Sequence, residues 1–567
     1  MLYQGSKLES GVPVDISLWD WIFEQADNCK FNRGRFAGFR NAQTRETLSF
    51  VDLKSQATFL STGFADRFGV GYGSHVAIFC SNNILYPVVN LAAIRIGAIV
   101  TAASPHQGVD EMVEILKLSE SELVVTDEEV WDNVCQAADK VGLRRDRVVL
   151  LERKLASRSS DSKTPMRDLI SEAKIKTDGR QAKAWDPSRT QSNKDVPAYL
   201  SFTSGTTSSA KGVMISHHNV IAQIMQMLSL SAPECPKVLL GVLPFYHITG
   251  LIQILNVPIV LNQDVIVMPK FNMKQMLDVI VRYRCDELWL VPPLLVRLVN
   301  DPVAAGYNLG FVQQFNTGAA PLAKEIVDKL AKKFPHVRIR QAWGLTESCS
   351  ALTLTPPADQ TYENAHTVGK PVPETIIKII DTDSERDRER LLGPGETGEV
   401  LAKGPQVTMG YYKMPQVTAE TYDKDGFLHT GDIGFMNEAG FLTITDRLKE
   451  MIKVKGVAIA PAELEDLLLG HPLVADAAVV GIPDDYAGEI PKAFIVLVDL
   501  SAKGSTTKQI LFDFVKLKRS KSKWLAGGIE FLDTIPKSAS GKILRRVLKD
   551  QEGNKFQQSK RRRASKL

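Results

Sequence analysis

Paired cysteines are missing from this chain. The six it has, Cys29, Cys80, Cys135, Cys235, Cys285 and Cys349, are scattered over 567 residues, without the close spacing that zinc sites and redox motifs use. That excludes a disulfide framework and fits a reduced compartment, where most of them serve as small apolar side chains. The start, MLYQGSKLES, lacks the basic-then-apolar order of a secretory signal. Nor is there an unbroken apolar run of membrane length. The longest candidate, HITGLIQILNVPIVLNQDVIVMP, is interrupted by Gln253, Asn256, Pro258 and Asp264 and reads as a core segment, so no transmembrane span is expected. A large charge excess is absent too: +4 over this length is too small to make nucleic acid the main partner.

What is present is an ordinary globular composition, 44% hydrophobic and 24% charged, in a chain long enough for two or more domains. From residue 74 short apolar runs alternate with amphipathic stretches. SHVAIFC, IVTAAS and ELVVTD read as strands, and ILYPVVNLAAIRIGA and VDEMVEILKLSE as helices. The unit recurs at ELWLVPPLLVRLVN and at FVQQFNTGAAPLAKEIVDKLAKKFPHVRI. This alternation predicts an α/β fold, a parallel sheet covered by helices on both faces. Residues 157–194 turn polar and read as a surface excursion.

Residues 201–212, SFTSGTTSSAKG, are built from hydroxyls, glycines and a lysine. They suit a phosphate, yet the Walker loop is excluded: counting from Gly205, Ala210 stands at its second glycine and Gly212 at its magnesium-binding hydroxyl. Ile221, Ile224, Met225 and Leu228 recur at helical spacing behind it, with Ser216 or Asn219 as N-cap, so the expected order is strand, loop, helix. Backbone amides near Gly205, the hydroxyls of Thr203, Ser204, Thr206 and Thr207, and the Lys211 ammonium would hold the anion. Near residue 446 the pattern changes. A charge-dense run leads into a helix with Pro461 in its first turn, Gly470 after its last, and Leu464, Leu467 and Leu468 as its buried stripe. The strands ADAAVVGIP and KAFIVLV follow, then a helix from KILRRVLKD, enough for a small α+β domain. The chain ends QQSKRRRASKL; Ser565, Lys566 and Leu567 form the tripeptide that peroxisomal import receptors read. The expected location is therefore the peroxisome, with that receptor as partner.

Downstream of the loop, LPFYHITG at 243–250, NTGAAPL at 316–322, QAWGLTE at 341–347, HTGD at 429–432, DRLKEMIKVKG at 446–456 and PKSASGKILRR at 536–546 occur in this order. Together they resemble the adenylate-forming superfamily, most closely its acyl- and aryl-CoA ligases such as the coumarate–CoA ligases, over residues 45 to 550. The resemblance implies a large N-terminal domain (1–446) of stacked, largely parallel sheets covered by helices. It also implies a small mobile C-terminal lid (447–550), leaving 551–567 as a basic tail. The implied reaction joins ATP to a carboxylate to give acyl-AMP and pyrophosphate. The thiol of coenzyme A then displaces AMP. A carboxylate is a poor electrophile because its leaving group would be oxide, and the mixed anhydride replaces oxide with AMP.

The same resemblance assigns roles. The opening loop would hold the β- and γ-phosphates. Glu347 would hold Mg2+ and Thr346 the α-phosphate, hard oxygen on a hard cation. Asp432 would accept the ribose hydroxyls, with Arg447 as second contact. Gly318, Ala319 and Ala320 on one side and Trp343 on the other would sandwich adenine, with Gln341, Ala342, Gly344 and Leu345 completing the nucleotide site. Lys542 would bridge the carboxylate and the α-phosphate as charge gathers there. His247 would border the acyl and pantetheine passages. Tyr246, Thr249, Asn316, Ser348 and Cys349, with Ala319, Trp343 and Gly344, would line the acyl pocket. Lys449 is the hinge, and Lys453, Lys455 and Gly456 lie on the thioester-forming face. No cation stands among the pocket residues, which favours a monocarboxylic aliphatic or aryl acid.

Several positions depart from the family pattern. Ser208 and Ala210 stand where glycine and proline are usual, Ala342 and Trp343 replace a glycine and a tyrosine, and Ala458 replaces a glutamine. A carrier-protein acceptor, a luciferase-like oxygenase and a silent acyl-nucleotide binder share the motifs and are the alternatives.

Overall fold

The alternating apolar runs fold as parallel strands with helical crossovers. The computed structural model describes residues 1–24, 37–152, 164–176, 180–187, 191–204, 210–231, 238–320, 322, 324–382, 390–455, 457–484, 486–538 and 541–552. Every residue of the strands His75–Phe79, Ile99–Ala103 and Leu123–Thr126 is buried, as a parallel sheet covered on both faces requires. They lie in a seven-stranded sheet, in the order Ala210–Ser216, Pro197–Ser204, Ile99–Ala103, His75–Phe79, Leu123–Thr126, Val148–Leu150, Thr164–Pro165. The helix expected over 84–98 runs Tyr86–Arg95 with all its residues buried, which is why it reads as apolar all round.

A nine-stranded sheet carries Val238–Gly241, Asp264–Val267, Glu287–Trp289, Gln314–Thr317 and Arg338–Trp343 as parallel central strands. One face, with Leu288, Phe315 and Ile339, packs on the helices Met273–Tyr283, Pro292–Asn300 and Lys324–Lys333. The opposite face contributes Leu239 and Trp289 to the largest core. That core is shared with the seven-stranded sheet and the helices His217–Ser229 and Val257–Leu261. The apolar run after His247 enters it as a π-helix, Gly250–Asn256, buried throughout. A five-stranded antiparallel sheet follows, in the order Leu2–Gln4, Ile376–Ile380, Gly398–Lys403, Leu428–Met436, Leu442–Arg447.

Beyond it the chain builds a separate sheet from Val457–Ile459, Ile452–Val454, Gly488–Leu497 and Val474–Asp484, with Ile529–Phe531 alongside. This sheet and the helices Pro461–Leu469 and Ser505–Lys518 close over their own core, in which Leu464 and Leu468 are fully buried. The architecture is thus the expected one: a large α/β N-terminal domain and a small α+β C-terminal domain.

Two local expectations are corrected. The stretch after the opening loop is the antiparallel strand Ala210–Ser216, paired back on Pro197–Ser204 with Lys211 opposite Thr203. The helix starts only at His217, where Ser216 Oγ accepts from the Asn219 amide and Asn219 Oδ1 accepts from the Ser216 amide. The loop therefore joins two strands, because strand pairing satisfies the amides of 210–216 before the capping box can start a helix. The C-terminal helix begins at residue 545 rather than at Lys542, which lies in the turn ahead of it. Among the described residues no helix is long and apolar enough to cross a membrane.

Candidate active site

The parallel strands of the nine-stranded sheet end at one cleft, the usual place for a ligand in an open α/β sheet. Gly318, Ala319 and Ala320 follow Gln314–Thr317, and Gly344 to Glu347 follow Arg338–Trp343. The backbone there is crowded and bent. A Cβ on Gly318 would sit 2.7 Å from the Ala342 carbonyl oxygen, and one on Gly344 would overlap that of Ser350. Ala319 and Cys349 adopt left-handed conformations, with φ of 67° and 51°. Ala319 and Gly344 are exposed in the cleft while Ala320, Ala342, Leu345, Thr346 and Glu347 are half-buried.

Asp432 projects from the Leu428–Met436 strand, directly across from Arg447 on the next strand. Asp432 is 5% exposed, with Oδ1 2.9 Å from Arg447 Nε and Oδ2 accepting from Trp343 Nε1 at 2.8 Å. The indole of Trp343 is packed with Leu352 and Ile377 under the five-stranded sheet. It therefore orients Asp432, a task beyond the stacking expected of it. Gln341 is buried. Its Nε2 donates to the Ala365 carbonyl, and its Oε1 has no partner among the described residues.

Glu347 has one carboxylate oxygen, Oε1, accepting from the Tyr411 hydroxyl at 2.7 Å. Tyr411 is brought there by pairing of Val213 with Tyr411, and the Lys211 ammonium stands 5.3 Å over its ring. Sequence reasoning missed Tyr411; GYY at 410–412 carries no periodicity or spacing signal. Among the described residues no cluster of three or more His, Cys, Asp or Glu could cage a metal ion. A single carboxylate fits Mg2+, which takes one or two protein carboxylates and completes its shell with water and phosphate oxygens.

Lys542 arrives from the small domain. Its turn is closed by Ser538 N–H donating to the Lys542 carbonyl and Gly541 N–H donating to the Ser538 carbonyl, both at 2.8 Å. Gly541 has φ +82°, and a Cβ there would lie 3.2 Å from Val291 Cγ2 of the large domain. Only glycine combines that conformation with that approach. Burial, then the charges of Arg447 and Arg545, push the Lys542 ammonium below its ordinary value, against the pull of Glu450 and Asp432. Burial and the nearby Lys542 push His247 down to about 4, so its imidazole is neutral at pH 7. Lys542, His247, Asp432 and Arg447 therefore share one site, contributed by both domains.

Other expected residues lie apart from it. Lys449 is exposed between the strands Leu442–Arg447 and Ile452–Val454. Lys453 is exposed on a hairpin, its backbone N–H donating to Glu489, and the Lys455 ammonium lies 4.1 Å over the Tyr486 ring. Ala458 pairs with Lys453 on that hairpin. Tyr246 and Thr249 are half-buried near the cleft; Asn316, Ser348 and Cys349 are buried beneath it. Cys80, Cys135, Cys285 and Cys349 are buried free thiols. The backbone of Thr203 and Ser204 ends the strand leading into the loop. Gly205, Thr206, Thr207, Ser208, Gly456, Ser540, Ser565, Lys566 and Leu567 lie outside the described residues.

Comparisons with known proteins identify the family. Residues 24–412 match the AMP-binding enzyme family and residues 463–542 the AMP-binding enzyme C-terminal domain. The peroxisomal OPC-8:0-CoA ligase 1 of Arabidopsis thaliana is 34% identical over 524 residues, covering 91% of this chain and 90% of that protein. The 4-coumarate–CoA ligase 2 of Oryza sativa subsp. japonica is also 34% identical, covering 90% and 88%. Among solved structures, ATP-bound MatB from Rhodopseudomonas palustris superposes with a TM-score of 0.81 at 25% identity, over 95% of this chain and 99% of that one. The anthranilate CoA ligase AuaEII, at 19% identity and a TM-score of 0.82 over 96% and 99% of the two chains, shares the fold. The two family matches and relatives 34% identical over nine tenths of the chain lead to one conclusion: the chain belongs to the AMP-binding enzymes of the adenylate-forming superfamily.

Proposed function

We propose that this protein is an ATP-dependent acyl-CoA ligase that activates a monocarboxylic acid, aliphatic or aryl, as acyl-AMP and transfers the acyl group to coenzyme A. The observation that carries it is the convergence of Lys542 from the small domain on Asp432 and His247 of the large one, with Arg447 at the boundary beside Asp432. In this reading Asp432, held from both sides by Arg447 and Trp343, accepts the ribose hydroxyls. Glu347, with Oε1 engaged by Tyr411, offers its other oxygen to Mg2+, which would draw the phosphate charge together. Lys211, over Tyr411, takes a phosphate oxygen with the opening loop. Lys542 neutralises the charge gathering between carboxylate and α-phosphate, and its lowered proton affinity reflects a dry site where such a contact counts most. Neutral His247 borders the acyl group without competing for the anion.

Thioester formation needs Lys542 withdrawn so that the thiol can approach. A domain boundary at 446/447, with Lys449 as hinge and 447–550 as the moving lid, provides this, and the exposed Lys453 hairpin becomes the face that meets the thiol. The carboxy-terminal Ser565-Lys566-Leu567 directs the enzyme to peroxisomes, the location also carried in the name of the Arabidopsis relative. The test is ATP–pyrophosphate exchange with a panel of acids, repeated with coenzyme A and scored for thioester. Exchange without thioester for every acid would replace coenzyme A by another acceptor, and no exchange at all would refute the reading.

A further inference from the structure

The helix Pro461–Leu469 of the small domain brings no capping side chain of its own. Ala460 stands at its N-cap position in an extended conformation and offers no acceptor, where Ser, Thr, Asp or Asn would ordinarily serve. Pro461 has no N–H, so the Ala462 amide is the first unmet donor of the helix. Its acceptor comes from the other domain. Asp446 Oδ2 accepts from the Ala462 N–H at 2.9 Å, and Oδ1 from the Arg447 N–H at 2.7 Å. Asp446 is 7% exposed and lies in the strand Leu442–Arg447, paired with Ile433 in the five-stranded sheet of the large domain. A carboxylate placed there also meets the positive end of the helix.

The chain between the two partners contains Lys449. Leu448 N–H donates to the Gly431 carbonyl at 2.8 Å, so the backbone is tied to the large domain as far as Leu448. Lys449 follows, exposed, and Ile452 opens the first strand of the small sheet. Asp446 and Ala462 therefore lie on opposite sides of Lys449, and a swing about that residue separates them. On the small-domain side the contact reaches Lys542 in two steps. Glu465, three residues beyond Ala462 on the same helix, accepts from Arg545 Nη2 at 2.6 Å. Arg545 also donates from Nη1 to Glu450 at 2.9 Å and from Nε to the Val479 carbonyl at 3.3 Å. Arg545 stands three residues after Lys542, and ahead of the turn Lys537 donates to Asp476 at 2.7 Å. The helix and the Lys542 turn are thus fastened into one piece.

Resting on the acyl-CoA ligase reading and its withdrawing lid, we infer that Asp446 is a positioning residue: it caps the Pro461–Leu469 helix across the domain boundary while the lid is docked, and so favours the position in which Lys542 reaches the α-phosphate. When the lid withdraws for thioester formation, the helix gives up this cap for water. The missing acceptor at Ala460 is what makes the contact selective. A cap carried by the lid itself would stabilise both positions equally, and only a difference between two states can shift the balance between them.

The test gives the helix a cap that travels with it. Ala460→Asp puts an acceptor within reach of the first helical amides in both lid positions, and sets a like charge against Asp446 only in the docked one. It should slow ATP–pyrophosphate exchange by about 2- to 30-fold, the range that loss of a cap carries. Conversion of supplied acyl-AMP and coenzyme A to thioester should be unchanged or faster. Asp446→Asn should slow exchange by a factor in the same range and likewise spare the thioester step. The double variant should lose no more than the worse single one, because both changes remove one contact. Equal loss in the two half-reactions, undiminished exchange in Ala460→Asp, or losses that multiply in the double variant would overturn the inference while leaving the ligase reading intact. If Asp446→Asn does not fold, Ala460→Asp decides alone, since it adds a cap and deletes no contact. Absence of exchange by the wild-type enzyme with any acid would instead remove the reading on which the inference rests.

Discussion

Gly541 offers a way to weigh the docked position of Lys542. Alanine there meets two separate costs. The first is backbone strain: φ is +82°, and a left-handed conformation costs an L-residue about 1–2 kcal/mol. It applies wherever the turn keeps its shape. The second is contact: the new methyl would lie 3.2 Å from Val291 Cγ2, 3.4 Å from Val291 Cβ and 3.5 Å from Pro293 Cδ, at or inside the optimum for carbon pairs. It exists only while the turn is docked on the large domain. Only the second distinguishes the docked lid from the withdrawn one, and overpacking of this kind costs about 1–3 kcal/mol, or roughly 5- to 150-fold in rate at 1.4 kcal/mol per decade. Gly541→Ala should therefore slow ATP–pyrophosphate exchange by such a factor. Conversion of supplied acyl-AMP and coenzyme A to thioester should be spared, because Lys542 is then withdrawn. Val291→Ala removes the nearest atom, so the double variant should recover the contact part and leave the strain. Equal loss in both half-reactions, or no recovery in the double variant, would refute a docked, adenylating position of the lid.

Three further outcomes are expected. Trp343→Phe deletes the 2.8 Å bond to Asp432 and should weaken ATP binding by about tenfold, the scale of a hydrogen bond to a charged group, as read by calorimetry; unchanged affinity would deny Trp343 its orienting role. Burial first, then Glu325 and Asp446, hold Asp466 at about 7, so its proton stabilises the fold at acid pH and that stability is lost as pH rises to about 7. Asp466→Asn should thus raise Tm by an amount that is nil near pH 4, grows up to pH 7 and stays flat above it; a gain independent of pH would contradict this. Removal of Ser565 to Leu567 should leave activity intact and the protein cytosolic by microscopy, and continued peroxisomal import would dismiss the tripeptide as the signal.

Sequence by itself determined the class of the fold and nominated most residues of the candidate site. Periodicity is a local property, so the buried strands at 75–79, 99–103 and 123–126 and the capped helix at 461–469 were legible without any neighbour. Motif order nominated Asp432, Arg447 and Lys542 for the same reason, since each stands in a short stretch of restricted composition. What tertiary structure alone decided are relations between distant segments. The strand after the opening loop was hidden because its partner, Pro197–Ser204, rather than its own composition, fixes its conformation. Tyr411 reaches Glu347, and Trp343 reaches Asp432, across 64 and 89 residues. The buried Glu287 carboxylate finds its donors because Gln263, Trp289 and Asn316 converge on it, the latter two through parallel strand register. A hydrogen bond needs its partner within about 3 Å, and only the folded chain says which of 567 residues that partner is.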